Sequence, residues 1–165
     1  MIKVTDIFNN EFEVECIGCA LVDKSLVPIG GIIKETENFI LHHDPEVPIK
    51  GFLIIASKRH IKSISQLQKP QAIEFFELCY DARAALSSFE DITDCTFIQE
   101  ERSEHFHFWI LPRYKWMDEL FDNSLSSIRP IMKYAEENLK TEKNISEIKM
   151  YVEHLKNHFI ITESD

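Results

Sequence analysis

The segment Glu104-His105-Phe106-His107-Phe108-Trp109-Ile110-Leu111-Pro112-Arg113 holds the residue types best suited to chemistry in this sequence. Side chains alternate between faces on a strand. His105, His107 and Trp109 therefore share one face, and Phe106, Phe108 and Ile110 the other. The second face is core. The first sets two imidazoles about 7 Å apart along the strand, close enough to serve one site. Imidazole is unprotonated near pH 7, so it can act as a nucleophile, a base or a metal ligand. A second set of donors lies near the start of the chain, where Cys16-x-x-Cys19 has comparable claims from zinc, from redox chemistry and from chance. His154 and His158 are four apart on one helical pattern, a spacing that could bind metal, but the sequence does not set a cysteine or acidic ligand with them and they read as a solvated face. Cys79 and Cys95 read as small buried apolar residues.

The elements that position these residues follow from periodicity. Phe12-Val14-Cys16 alternates with acidic residues and reads as a short strand. Residues 29–34 and 39–42 read as two more, the latter running into the turn Asp44-Pro45-Glu46-Val47-Pro48. Residues 51–56 form a continuous apolar run of strand length, as expected of a central strand. Pro70 suits the first turn of a helix, from which Ala72, Phe75, Phe76, Cys79, Ala82 and Leu86 recur at helical spacing to about residue 88. Residues 95–98 and 105–111 read as strands joined by a charged turn, with Pro112 ending the second. After Trp116 come two helical stripes, Leu125, Ile128, Met132, Ala135, Leu139 and then Ile145, Ile148, Val152, Leu155, Phe159. Equal stripes joined by a short polar link suggest an antiparallel pair, and Pro130 requires a kink or a helix that begins near it. The expected class is α+β, with a domain over residues 1–115 and a helical appendage over 116–165 in the same compact unit.

His-Phe-His-Phe-Trp resembles the His-x-His-x-His core of the histidine triad superfamily, with Trp109 in place of the third histidine. The trailing Leu-Pro-Arg is common there. Gly51-Phe-Leu-Ile-Ile-Ala-Ser-Lys-Arg-His60 resembles the family strand that ends in a Pro-Lys-Arg-His-type turn. His43-Asp44, followed by Pro48, resembles the segment that holds a nucleotide ribose, and Cys16-x-x-Cys19 the Cys pair of zinc-containing members. The resemblance covers residues 12–113. It implies an antiparallel sheet of about five strands with one long helix, often dimerised edge to edge, so a homodimer is among the expected partners. It also implies nucleotide chemistry, with hydrolysis or nucleotidyl transfer on a nucleoside polyphosphate or nucleotidyl conjugate. His107 would be the nucleophile, oriented by a backbone carbonyl, and Asp44 would hold the ribose. Arg102 and Ser103 would be phosphate donors, although Glu100-Glu101 stands where relatives usually have Gly-Gln. Trp109 would contact the substrate. The zinc-binding relatives match Cys16, Cys19, His60 and His105, a tetrahedral Cys₂His₂ set of structural type. Indole cannot transfer a proton at neutral pH. The Trp109 variant therefore fits transfer with a good leaving group, or else a nucleotide-binding module of weak or no catalysis.

Composition bounds the partners. The chain has 165 residues, 44% of hydrophobic type, with 18 Lys+Arg against 28 Asp+Glu and a formal charge of -10. These are the proportions of a globular domain, and one this long can bury roughly 70% of its unfolded surface without disulfide staples. The acidity argues against an extended nucleic-acid groove, which needs basic stripes. It leaves open a small anionic ligand in a local pocket, with Lys58, Arg59, Lys62, Arg102, Arg113 and Lys115 as a candidate basic rim. No apolar run approaches the roughly 18–20 residues of a membrane helix. Residues 1–10 lack a basic start and an apolar run, so the expected location is cytoplasmic and the four cysteines are expected to be reduced.

Overall fold

Alternation of Phe12 and Val14 with glutamates builds β2 (Glu11–Val14), which pairs antiparallel with β1 (Ile2–Thr5) as a separate two-stranded ribbon. The computed structural model describes residues 1–162. Cys16 does not extend β2. It caps a short helix, α1 (Ile17–Val22), that the strand reading of this segment does not foresee. The apolar runs that follow form β3 (Ile32–Glu35), β4 (Phe39–His43) and β5 (Leu53–Ser57). Helix α2 (Lys69–Leu86) has its proline in the first turn, as the sequence requires. It buries Phe75, Leu78, Cys79, Ala82, Ala85 and Leu86, whereas Phe76 is turned to solvent. Then come β6 (Asp94–Gln99) and β7 (His107–Arg113).

These last five strands form one antiparallel sheet in the order β3-β4-β5-β7-β6, with β5 at its centre. The fold class is α+β, as read from the sequence. Pro112 does not end β7. It pairs with Cys95 of β6 at a point where β5, whose ladder stops at Ile110, no longer flanks the strand. Proline is tolerated at such edge positions.

The chain after β7 continues as α3 (Lys115–Leu120), a single 3₁₀ turn, α4 (Ile128–Asn138) and α5 (Glu142–Thr162). Helix α4 begins two residues before Pro130, which resolves the proline without a kink. The two stripes do not pack on each other. Ile148, Val152, Leu155 and Phe159 of α5 join α2 over one sheet face, against Phe39, Leu41, Leu53, Ile55, Phe106 and Ile110. Ile128, Ile131, Met132 and Ala135 of α4 cover Phe52, Ile54, Trp109 and Leu111 on the opposite face. An amphipathic stripe specifies only that it must be buried, and here a broad sheet offers each helix more apolar area than the other helix could. Among the described residues no helix is long and apolar enough to cross a membrane.

The docking of α5 tests this arrangement. Gly30 has φ +70° and lies where an added Cβ would run into the Val152 side chain, while its carbonyl oxygen accepts from Lys156 Nζ. Gly30→Ala combines left-handed backbone strain with a clash, so it is expected to lower unfolding stability by about 2–4 kcal/mol in urea titration. Gly31→Ala, at φ +77° but with open space around it, should cost only the backbone share, about 1 kcal/mol.

Candidate functional site

The α4-bearing face of the sheet is covered in two separate pieces. Helix α4 and Met117 cover one part, while Val4, Ala20, Leu21 and Leu26 pack on Ile40 and Ala56 at the other. Between the two pieces lies a cavity of about 400 Å³, lined by His42, Asp44, Ile54, Ala56, His107 and Trp109 from the sheet and its turn. Cys16, Ile17, His60, Arg102, Ser103 and His105 contribute further wall. The period-2 reading of residues 105–110 holds, since Phe106 and Ile110 enter the α2 core while His105, His107 and Trp109 border the cavity.

His107 is half-buried, and its Nδ1 lies 3.0 Å from the carbonyl oxygen of His105 and 3.1 Å from Ser103 Oγ. A carbonyl can only accept, so Nδ1 carries the proton, and Nε2 keeps its lone pair. The Ser103 hydroxyl donates to the same carbonyl at 2.8 Å, which braces the residue that orients His107. Arg102 is exposed at the cavity mouth. Trp109 is buried. It meets Phe52 edge-on at 5.8 Å between ring centroids and carries the Arg129 guanidinium 4.7 Å from its own ring. Arg129 also pairs with Glu100 at 2.8 Å. A residue of α4 thus reaches the strand that bears the histidines. Nothing in the local sequence around Arg129 marks it, because its role depends on which sheet face α4 covers.

Asp44 is buried in the turn after β4. Its Oδ1 accepts from the backbone N–H groups of Glu46 and Val47, each at 2.8 Å. Burial pushes its carboxyl up to about 7, and the Glu46 and Glu136 carboxylates add to the rise. A group whose folded pKa is raised contributes stability that is present below its unfolded pKa and lost as pH climbs through the folded one. For Asp44 that loss runs from about pH 4 to about pH 7. Asp44→Asn keeps an oxygen for the two N–H groups and removes the buried charge. Its urea-unfolding stability should therefore exceed that of wild type by about 2–4 kcal/mol at pH 8 and by little at pH 4. A difference that stayed flat with pH would show that this carboxyl titrates normally. His43, the neighbouring residue, faces the other way, with its ring nitrogens at the carbonyl oxygens of Asp44 and Ile49.

Cys16, Cys19, His60 and His105 present one donor atom each, all within 4.8 Å of one another. The Cys16 and Cys19 sulfurs lie 3.3 and 3.6 Å from His105 Nδ1, and Cys19 Sγ lies 3.2 Å from His60 Nδ1. Tetrahedral zinc with ordinary Zn–S and Zn–N bonds spaces such donors by about 3.5 Å, so the set fits the ion. His105 Nε2 donates to the Ser57 carbonyl at 2.7 Å, which fixes the tautomer with Nδ1 free to ligate and supplies the supporting contact typical of metal-bound histidine. Burial, and then Cys16 beside it, pushes the Cys19 thiol up to about 11, a cost that a bound cation reverses. Gly18 completes the loop. A methyl there would press on the His105 ring at 2.5 Å, so the residue inside Cys-x-x-Cys is part of the packing.

The remaining candidates place as follows. The basic rim does not form. Lys58 pairs with Glu35, Lys62 with Glu104, Arg113 with Asp118 and Lys115 with Glu119, and of the six candidates only Arg102 lines the cavity. Trp116 and Phe121, which the sequence leaves open between lining a base pocket and packing the appended helices, pack with Tyr134 of α4. His154 bonds Ser88 Oγ at 2.8 Å and leans on Phe89, as a surface residue does. His42, which the alternation places no more firmly than in the core or beside a neighbouring strand, turns out to line the cavity.

No family model matches the sequence, and no curated protein matches it. Solved structures do. A zinc-bound histidine triad family protein from Mycobacterium smegmatis aligns at 16% identity and TM-score 0.57, over 87% of this chain and 96% of that one. A HIT family protein from Bacillus anthracis aligns at 22% identity and TM-score 0.56, over 82% and 94%. A hypothetical histidine triad nucleotide-binding protein from Sulfolobus tokodaii aligns at 15% identity and TM-score 0.58, over 86% and 94%. The alignments extend beyond residues 12–113, which carry the motifs. With its five-stranded antiparallel sheet, its paired histidines on β7 and a Cys₂His₂ cluster able to hold zinc, the chain has the histidine triad fold, in a variant that reads His-x-His-x-Trp.

Proposed function

We propose that the chain is a nucleotide-processing hydrolase or nucleotidyltransferase that works through a nucleotidyl-histidine on His107. The observation that carries the reading is the tether of His107 Nδ1 to the His105 carbonyl, which leaves Nε2 as the nucleophilic nitrogen beside a cavity that Asp44 also lines. The likeness to the hypothetical histidine triad nucleotide-binding protein from Sulfolobus tokodaii supports the ligand class. The Nε2 lone pair would attack the α-phosphorus, and the bond from phosphorus to the leaving-group oxygen would break with its electron pair. Water or another acceptor would then release the nucleotide. Asp44 would hold ribose, and Arg102 and the turn that carries Ser103 would face the phosphate. Trp109 would pack against the ligand without moving a proton. Zinc on Cys16, Cys19, His60 and His105 would be structural and would take no part in bond making.

The burial of Trp109 between Phe52 and Arg129 favours one alternative, a nucleotide-binding or regulatory module in which chemistry has lapsed. Incubation with α-labelled ATP or a labelled diadenosine polyphosphate, followed by acid and base treatment, separates the two. The enzyme reading expects an acid-labile, base-stable label on a histidine. Nucleotide binding with neither label nor turnover would leave the module.

A further inference from the structure

His42 is an imidazole on the cavity face that neither the metal cluster nor the proposed chemistry uses. It pairs with Ile54 of β5, and Ile54 pairs with Trp109 of β7. Residues directly opposite in a sheet present their side chains to the same face. His42, Ile54 and Trp109 therefore make one row, and Ile40, Ala56 and His107 the next. Asp44 continues the same face two residues along the chain. His42 stands between Asp44 and the row of His107, and all three line the cavity.

Its ring is oriented by the backbone. Nδ1 lies 2.8 Å from the carbonyl oxygen of His43, so Nδ1 carries the proton and donates it. Nε2 is then a bare acceptor. It is buried, and among the described residues it has no hydrogen-bond partner. Such a group is costly to leave unmatched, and a ligand that brings a donor recovers the cost. Burial also pushes the imidazole down to about 4, so the acceptor form persists at neutral pH.

The chemistry of the partner follows from that lone pair. An ionised phosphate oxygen has no proton to offer, so phosphate is excluded, whereas a hydroxyl can donate. Asp44 commits Oδ1 to two backbone N–H groups, which leaves Oδ2 as a second acceptor on the same face. We propose that His42 Nε2 accepts a hydrogen bond from one ribose hydroxyl of the ligand while Asp44 takes the other, so that the site selects ribonucleotides over deoxyribonucleotides. This rests on the nucleotide reading above. Nε2 has no surface open to water, so the ligand must shift a wall side chain as it enters.

The test is calorimetric binding of the four common ribonucleoside 5′-monophosphates and their 2′-deoxy and 3′-deoxy forms to wild type, His42→Leu and His42→Gln. Wild type should prefer the ribose form over one deoxy form by about 10- to 100-fold. His42→Leu should lose affinity for the ribose form but not for that deoxy form, which brings the preference close to unity. His42→Gln should recover part of it through its amide oxygen. Equal affinity of ribose and deoxyribose forms for wild type, or an equal loss on all of them in His42→Leu, would overturn the assignment and leave the nucleotide reading standing. A folded wild type that binds none of them would overturn both. Nitrogen NMR of the wild-type imidazole keeps the test independent of how the variants fold. The His42 Nε2 resonance should move on binding the ribose form and stay put with the deoxy form that lacks its donor, and no movement with bound ribonucleotide would equally overturn the assignment.

Discussion

His107→Ala is expected to lower turnover by about 10⁴-fold or more while nucleotide affinity changes by less than about threefold, because the proposed intermediate forms on its Nε2. The side chain is half-buried and its one tether goes to the backbone and Ser103, so its loss leaves the cores intact. The Ser103 bond to the His105 carbonyl, the same carbonyl that orients His107, remains in the variant. Single-turnover kinetics with parallel titration of a nucleoside monophosphate reads both quantities. A variant that keeps more than a tenth of wild-type turnover would place the nucleophile elsewhere. The wild type should also depend steeply on its leaving group. Trp109 can donate a hydrogen bond but cannot deliver a proton, so substrates that expel an amine or alkoxide should react about 10²- to 10⁴-fold more slowly than those that expel a nucleotide.

The second large effect concerns the metal. Purified protein is expected to carry one equivalent of zinc, and stripping it should lower the thermal midpoint by about 8–16 °C, the result of losing about 4 kcal/mol from a site held near a thousandfold above its dissociation constant. The four donors come from the N-terminal turn of α1 and its cap, the loop after β5 and the approach to β7, so one ion would join three segments far apart in the chain. Cys16→Ser and Cys19→Ser should each abolish stoichiometric binding. His60→Ala should weaken it with the least damage to packing, since His60 is the exposed member of the set. Metal content by mass spectrometry, alongside calorimetric melting, checks this. Cys79→Ser serves as the control, because Cys79 packs in the α2 core and is not one of the four donors. Full stability and full secondary structure in a zinc-free chain would show that the cluster is not a structural staple.

How much of this could be read from the sequence depended on how local the physics was. The strand of His107 announced itself because a core face and a site face alternate along it, and β5 did so because a central strand is apolar on both sides. The zinc donors were legible as a set only through the resemblance, since Cys16 and His105 lie 89 residues apart. Helix α1 was missed because six residues without a side-chain cap leave almost no periodic signal. His42 was hidden for a different reason. Every residue of β4 is buried, so alternation cannot tell its cavity face from its core face. Arg129 was out of reach too, because a hydrophobic stripe says that a helix will be covered and not what it will cover.

The division of α4 and α5 between opposite faces of the sheet bears on how the protein is made. Synthesis runs from the N-terminus, so the five strands and α2 leave the ribosome before either helix that covers them. Until α4 arrives, Trp109 and Ile54 stand exposed and Arg129 cannot reach Glu100. Until α5 arrives, the core face of β3 and the flank of α2 stay open as well. A nascent chain arrested between the two helices would hold β7 in place yet remain sticky on one side, an early target for chaperones and proteases.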